Sequence, residues 1–264
     1  MTARYLWPMG IGSWFKEKAM RLDDSRTLAE HRLTALRTMR GVLLIAISVL
    51  FTALSSHASA AQRAVRLQPF SSVELDVPAR YVIVAGNAPS ARVRGDSEVI
   101  DRIVFEQHDD LVRVYVPGSI TIQGQLVIEI DTVGLTELTV NGSGEVHGHG
   151  FIGSEFSLHS VGAAAVKLTG LDVDKLRVDL QGSGSIELSG RATDERTRMA
   201  GSGQYRAAEL GSDKVDVRLE GSGSAEVLAR EKLSAHISGS GSVRYRGDPK
   251  LSTSIDGSGT VERM

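Results

Sequence analysis

The sequence predicts an all-β protein, a parallel β-helix or solenoid with coils of about 18–20 residues. Three observations support this fold. The tripeptide Gly-Ser-Gly recurs at nearly even intervals, apolar and polar residues alternate on both sides of each copy, and no segment between copies has helical spacing. Self-similarity at this period is typical of solenoids, in which each coil buries its apolar side only against neighbouring coils.

The repeated tripeptide is expected to form one corner of every coil. Its first glycines are separated by 20, 20, 19, 20, 18 and 18 residues, counting the degenerate copy that begins at Gly162. We expect these glycines to adopt corner dihedrals that other residues resist, and the small central residue to stack in a column. The predicted corner residues are Gly142, Ser143, Gly144, Gly182, Ser183, Gly184, Gly201, Ser202, Gly203, Gly221, Ser222, Gly223, Gly239, Ser240, Gly241, Gly257, Ser258 and Gly259, with Ala163 completing the column.

Strands are predicted on both sides of the corner. Positions six, four and two residues before the first glycine are apolar, as at Leu176, Val178 and Leu180, and the positions between them are polar. Positions four and six residues after it are also apolar, as at Val166 and Leu168. This period of two indicates strands with one buried side. A second glycine often follows eight residues after the first, so each coil has a second corner.

One copy departs from the pattern. In the stretch 195–209, Glu195 and Thr197 occupy inward positions where other copies have apolar residues. Polar side chains at core positions favour a bulge or a loosened coil here.

A column of outward residues, five positions after each first glycine, provides an independent test of the stacking. From Lys167 onwards the charges alternate in sign. Opposite charges on adjacent coils disfavour a register slip that would bring like charges together. The column is His147, Lys167, Glu187, Arg206, Glu226, Arg244 and Glu262.

The chain divides into four predicted segments. Residues 1–40 form an N-terminal extension, and a start at Met39 would give a more compact leader. Residues 41–60 contain the long apolar run and the small residues Ala58-Ser59-Ala60, the order of a secretory signal. The alternative is an uncleaved anchor helix. Residues 61–134 are predicted to form irregular β coils that cap the solenoid, and 135–264 to form its repeats, so that 61–264 is one domain.

Composition excludes several functions. The chain has no cysteine, which excludes disulfides, thiolate catalysis and attachment of lipid to an N-terminal cysteine. Without residues 1–60 the net charge is −6. An acidic domain is a poor candidate for binding nucleic acid.

Several segments identify a family. The stretches FSSVELDVPARYVIV (70–84), RVRGDSEVIDRI (92–103), LVRVYV (111–116) and LTELTVNGSGEV (135–146), with the repeated corner, resemble the exported bacterial family called putative auto-transporter adhesin, head GIN domain. The resemblance covers nearly all of 63–264. It implies a right-handed β-helix-like exported domain without an established activity or catalytic motif. Members are often surface lipoproteins, and this chain lacks the cysteine that such anchoring needs.

The histidines are the metal-site candidates. His147 and His149 alternate on one strand, which places both rings on the same side, and His159 on the next coil is a third ligand candidate. No carboxylate nearby has a recognisable ligand spacing. No cofactor is therefore expected, and the sequence assigns no catalytic residue.

The sequence favours an exported, non-enzymatic β-solenoid that acts as an adhesin-like binding or envelope module, at the cell surface or in the periplasm. Its expected partners are proteins or glycans of the envelope, with no nucleic acid and no stable membrane span after signal cleavage. The first alternative is a polysaccharide lyase or hydrolase, for which the acids Asp172, Asp174, Asp213 and Asp216 are available. The second is a structural solenoid that self-associates by end-to-end stacking.

Overall fold

The computed structural model describes residues 61–122 and 124–264. The predicted extension (1–40) and signal segment (41–60) lie outside the described residues. Those residues form 17 β-strands, joined in one sheet, and one short α-helix. The all-β prediction is confirmed.

The strands follow the repeat of the sequence. Over residues 165–239, a single strand runs from one Gly-Ser-Gly corner to the next and bends at the second corner. The strands are β1 (Ala61–Arg66), β2 (Ser72–Leu75), β3 (Arg80–Ala85), β4 (Ser90–Gly95), β5 (Val104–His108), β6 (Leu111–Tyr115), β7 (Val127–Thr132), β8 (Glu137–Gly142), β9 (Glu145–His149), β10 (Ile152–Gly162), β11 (Ala165–Gly182), β12 (Ser185–Gly201), β13 (Gln204–Gly221), β14 (Ser224–Gly239), β15 (Ser242–Arg246), β16 (Lys250–Gly257) and β17 (Thr260–Arg263); the helix, α1, is Ser97–Ile100.

Successive coils stack as parallel strands in two rows. The pre-corner row consists of the strands that lead into a Gly-Ser-Gly corner, namely β8, β10, the second halves of β11 to β14, and β16. The post-corner row consists of β9, the first halves of β11 to β14, β15 and β17. The first glycine of each corner pairs with the first glycine of the next, as Gly162 does with Gly142 and Gly182. The parallel β-solenoid predicted from the repeat is confirmed.

The two glycines of a corner are required for different reasons. The first has a positive φ in every copy, +115° at Gly221, and a Cβ there would lie 2.5 Å from the carbonyl oxygen of Gly201. The third residue does not have a positive φ, contrary to the expectation for both glycines. A Cβ at Gly223 would instead lie 2.7 Å from the oxygen of Gly203. Close stacking of backbones, rather than unusual dihedrals, therefore favours glycine at the third position.

The central residues of the corner stack as a column. From Ala163 onwards, each backbone N–H donates to the carbonyl of the first glycine in the preceding coil, as Ser183 does to Gly162 at 2.9 Å and Ser222 to Gly201 at 2.9 Å. The members, all exposed, are Ser143, Ala163, Ser183, Ser202, Ser222, Ser240 and Ser258.

Residues 61–134 stack in an order that differs from their order along the chain. Strand β2 lies between β6 and β8, and β3 lies between β7 and β9, all in parallel. The coil formed by β2 and β3 is thus inserted between a later coil and the first Gly-Ser-Gly coil. Beyond β6 and β7 the pairing becomes antiparallel, with β5 on β6, β4 on β7 and β1 on β4.

The helix α1 packs against β1 and β4. Its N-cap Asp96 accepts a hydrogen bond from the N–H of Glu98 at 2.8 Å, which satisfies one of the free donors of the first turn. Val99 and Ile100 are buried and belong to the continuous core that extends along the solenoid.

The bulge or loosened coil predicted for residues 195–209 does not lie at Glu195 and Thr197, although a register shift begins at Ala207 within the same stretch. Glu195 pairs in unbroken register with Leu176 and Val215 on the adjacent strands. Both polar side chains are 1% exposed. Shifts of register occur at the second corner instead, for example between Ala207 and Gly211. The coil tolerates its inward polar residues because they hydrogen-bond to one another, as described below.

Candidate functional site

The outward side of the pre-corner row carries a shallow groove across three adjacent coils. Its volume is about 240 Å³, and its walls come from β11, β12 and β13. We call it the arginine groove; it is lined by Arg177, Val178, Asp179, Arg196, Thr197, Arg198, Asp216 and Arg218.

The strand register brings the arginines together. Arg196 and Arg198 alternate along β12, so both point outward. Arg177 on β11 is directly opposite Arg196, and Arg218 on β13 is directly opposite Arg198. Like charges in directly opposite positions of a sheet are unfavourable. The groove therefore holds two repulsive pairs side by side.

Neighbouring carboxylates neutralise only part of this charge. Arg177 Nη1 is 3.0 Å from Glu155 Oε2, and Arg218 Nε is 3.7 Å from Asp216 Oδ1. Within residues 61–122 and 124–264, Arg196 and Arg198 form no ion pair. Four guanidinium groups and two carboxylates line the groove, which is positive on a domain of negative net charge. Guanidinium groups present planar pairs of N–H donors that match carboxylate, sulfate and phosphate.

The post-corner row shows the opposite arrangement. Lys167, Glu187, Arg206 and Glu226 lie opposite one another on successive coils, with alternating charges. Lys167 Nζ is 2.6 Å from Glu187 Oε1, and Arg244 forms an ion pair with Glu226. The predicted charge column is therefore built as expected, and the arginine groove is an exception to the pairing seen there.

The arginine groove has a signal in the sequence that the repeat alignment exposes. Its arginines occupy the outward positions five and three residues before the first glycine. Arg177, Arg196 and Asp216 form one column, and Asp179, Arg198 and Arg218 form the other. The clustering of arginines in these two columns is the sequence signal for the groove.

The structure separates His159 from His147 and His149, the other two histidines proposed as metal ligands. His147 and His149 lie on β9 in the post-corner row, and His159 lies on β10 in the pre-corner row. His147 Nε2 is 2.6 Å from Glu145 Oε1, and His149 Nδ1 is 3.0 Å from Thr169 Oγ1.

His159 is flanked by carboxylates rather than by the other histidines. Its Nδ1 is 3.3 Å from Asp179 Oδ2, and its Nε2 is 3.9 Å from Glu137 Oε1. In the part of the chain that the structure describes, no three His, Cys, Asp or Glu side chains are grouped closely enough to hold a metal ion.

Three of the four acids considered for glycan cleavage, Asp172, Asp213 and Asp216, pair with arginines. Asp172 receives two hydrogen bonds from Arg191 Nη2, at 2.8 and 3.1 Å, and Asp213 Oδ1 is 3.3 Å from Arg230 Nη1. Glycoside hydrolysis requires two carboxyl groups that face one substrate bond. Asp172 and Asp213 instead form ion pairs between adjacent coils.

A buried polar cluster lies beneath the groove. Glu195 precedes the groove residue Arg196 and points inward. Its Oε2 accepts a hydrogen bond from Ser212 Oγ at 2.6 Å, and its Oε1 accepts one from Tyr205 Oη at 2.9 Å and a longer one from Thr197 Oγ1 at 3.4 Å. Burial raises the pKa of Glu195 to about 7, although the three hydrogen bonds favour the ionised form.

The same environment affects the tyrosine. Burial, together with the neighbouring Glu195 carboxylate, raises the pKa of Tyr205 well above its ordinary value. Tyr205 is therefore a hydrogen-bond donor at all physiological pH values. The sequence showed the inward Glu195 and Thr197 but not their partners, because Ser212 lies at the irregular second corner and tyrosine is also an ordinary core residue.

Residues 61–122 and 124–264 contain no helix with the length and hydrophobicity of a transmembrane segment.

Solved structures show the same fold. A putative adhesin from Bacteroides fragilis aligns with a TM-score of 0.75 at 21% identity, over 78% of this chain and 98% of its own. A putative lipid binding protein from Parabacteroides distasonis aligns with a TM-score of 0.63 at 24% identity, over 79% and 98%. A putative adhesin from Parabacteroides merdae aligns with a TM-score of 0.62 at 19% identity, over 79% of this chain and 98% of its own. Among curated proteins, none matches this chain.

The family comparison agrees with the segments that suggested it. Residues 69–249 match the family described as "Putative auto-transporter adhesin, head GIN domain". This range contains the interleaved N-terminal coils and most of the Gly-Ser-Gly repeats. The chain therefore belongs to the head GIN domain family of putative auto-transporter adhesins.

Proposed function

We propose that this chain is an exported, non-enzymatic, adhesin-like module that binds acidic polysaccharide of the cell envelope in the arginine groove. One observation carries the proposal: Arg177 and Arg196, and Arg198 and Arg218, lie in opposed pairs on adjacent coils. Like charges in such directly opposite positions are unfavourable. A ligand with carboxylate or sulfate groups would remove this repulsion and form charge-assisted hydrogen bonds.

A polymer suits the groove better than a single small anion. The arginines repeat from coil to coil at the strand spacing of about 4.8 Å. A chain that carries an acidic group on successive units can place several of them against the row at once. The groove is open, and binding along a surface is consistent with its shape and with the adhesin description of the family.

Export is part of the same proposal. The apolar run at 41–56 followed by small residues favours a secretory signal, and an envelope polysaccharide is accessible only to an exported protein. The lack of cysteine favours a form that is not attached through an N-terminal lipid. Both surface and periplasmic locations fit.

Titration of the full chain with polygalacturonate, with dextran as the neutral control, tests the proposal. We expect saturable binding to the acidic polymer that weakens as salt rises, because exposed charges are screened. Equal binding to both polymers, or to neither, would contradict it. Release of new reducing ends or unsaturated uronates would favour the lyase or hydrolase alternative.

A further inference from the structure

The last strand of the pre-corner row has an open edge. Strand β16 pairs with β14 on one side, and no described strand pairs with its other side. Leu251 and Ile255 occupy inward positions but are each 44% exposed, whereas the equivalent Leu233 and Ile237 of β14 are buried. An exposed strand edge next to uncovered apolar side chains is a site for pairing with another strand.

We propose that this edge joins two copies of the chain tail to tail, through antiparallel pairing of β16 with β16 of the partner subunit, centred on Thr253. The sequence KLSTSID (250–256) is complementary to itself in this direction. Lys250 lies opposite Asp256 of the partner subunit, and Leu251 opposite Ile255 of the partner subunit. The two-fold axis repeats each of these contacts.

Other registers lose this complementarity. A shift by one residue would place the inward side chains of one copy opposite the outward side chains of the other, because strand residues alternate. A shift by two residues in either direction would pair Lys250 with a serine. Asp256 would then lie opposite another serine or opposite a residue outside the strand. Only pairing about Thr253 matches opposite charges at both ends, apolar with apolar residues, and Ser252 with Ser254.

The other end of the solenoid makes a closed dimer more favourable than a filament. There the outermost described strands are β1 and β5, which pair antiparallel with β4 and β6, and α1 packs against β1 and β4. Their sequences, AQRAVR and VFEQH, offer no complementary match to β16. Growth by head-to-tail stacking needs two matching ends, whereas a two-fold contact needs only one.

Dimerisation would place two arginine grooves on one particle. A polymer that engages both grooves would be held more tightly than by either alone, because the second contact is intramolecular. The proposed contact does not depend on the nature of that ligand, since β16 lies outside the groove. Self-association and glycan binding can therefore be tested separately.

Sedimentation velocity of the full chain over a range of concentrations tests the proposal, with a charge swap as the variant. We expect the wild type to be a monomer–dimer system. In each of the two symmetry-related contacts, K250E would place a carboxylate opposite Asp256 of the partner subunit, and D256K would place an ammonium group opposite Lys250 of the partner subunit. Each single variant should weaken dimerisation at least about tenfold, the effect of roughly 1.4 kcal/mol. The double variant K250E/D256K should restore it.

The fold should tolerate these variants. Lys250 lies opposite Lys232 of β14 within one chain, so K250E replaces a repulsive pair with an attractive one. Thermal unfolding at a concentration where every variant is monomeric provides the folding control. A wild type that stays monomeric, a higher oligomer, single variants that dimerise like the wild type, or a double variant that fails to recover would each overturn the proposal.

Discussion

Tyr205 donates a hydrogen bond from Oη to Oε1 of Glu195 over 2.9 Å inside the solenoid, where both side chains are shielded from water. Ser212 donates to the other carboxylate oxygen at 2.6 Å. The adjacent coils have apolar residues at the position of Glu195. Its carboxyl group is thus held by hydroxyl donors rather than by a cation. Without a neighbouring positive charge, burial dominates its titration.

This environment predicts that stability falls as pH rises. Glu195 has a folded-state pKa of about 7, raised from its ordinary value of 4.5 chiefly by burial. The stabilisation that comes from the raised pKa of Glu195 is therefore complete below about pH 4.5, and it is lost as the pH rises through 7. The shift corresponds to at most about 3 kcal/mol in the free energy of unfolding.

The variant E195Q isolates this contribution, because its amide is similar in size and does not titrate. Urea unfolding of wild type and E195Q at pH 5 and pH 8 measures it. We expect the wild type to lose more stability than E195Q between these pH values. An equal loss in both proteins would show that Glu195 does not titrate in this range.

Removing the tyrosine hydroxyl should have a pH-dependent effect. Y205F keeps the ring in the core but removes a donor from Glu195. We expect a loss of about 1 kcal/mol at pH 5, where the carboxyl is neutral, and about 2 kcal/mol at pH 8, where hydrogen bonds to the charged group are stronger. Unfolding of Y205F beside wild type checks this expectation. A loss independent of pH would argue against an ionised Glu195 at pH 8.

The corner glycines allow dihedral strain and backbone stacking to be separated. Gly142 has φ +94°, and no atom lies within 4 Å of the Cβ it would gain; Gly221 has φ +115° and faces the carbonyl of Gly201. G142A should lower the free energy of unfolding by about 1–2 kcal/mol through strain alone. G221A should lower it by at least about 1 kcal/mol more, because the stacked backbones must also move. Equal losses in urea unfolding would show that stacking adds nothing.

The repetitive part of the fold could be predicted because each coil repeats the same alternation, so that one register error would be visible in every copy. The insertion of β2 and β3 between β6–β7 and β8–β9 could not, since those pairings join residues far apart in sequence without a repeated corner. His159 does not lie beside His147, as the metal-site hypothesis required, because consecutive copies of the repeat can place their histidines in different rows. Alternation alone does not say which row a residue joins.

The arginine groove is tested most directly by measuring the affinity of the full chain for polygalacturonate in two charge-matched variants. R196S/R198S removes the two groove arginines that lack ion pairs in the described residues, and R191S/R230S removes two arginines outside the groove. Isothermal titration calorimetry should show that the groove variant binds polygalacturonate with at least about tenfold lower affinity, because charge-assisted hydrogen bonds contribute roughly 1.5–3 kcal/mol each. The control variant should bind nearly as the wild type does. Equal weakening of both variants would show that overall charge, rather than the groove, determines binding.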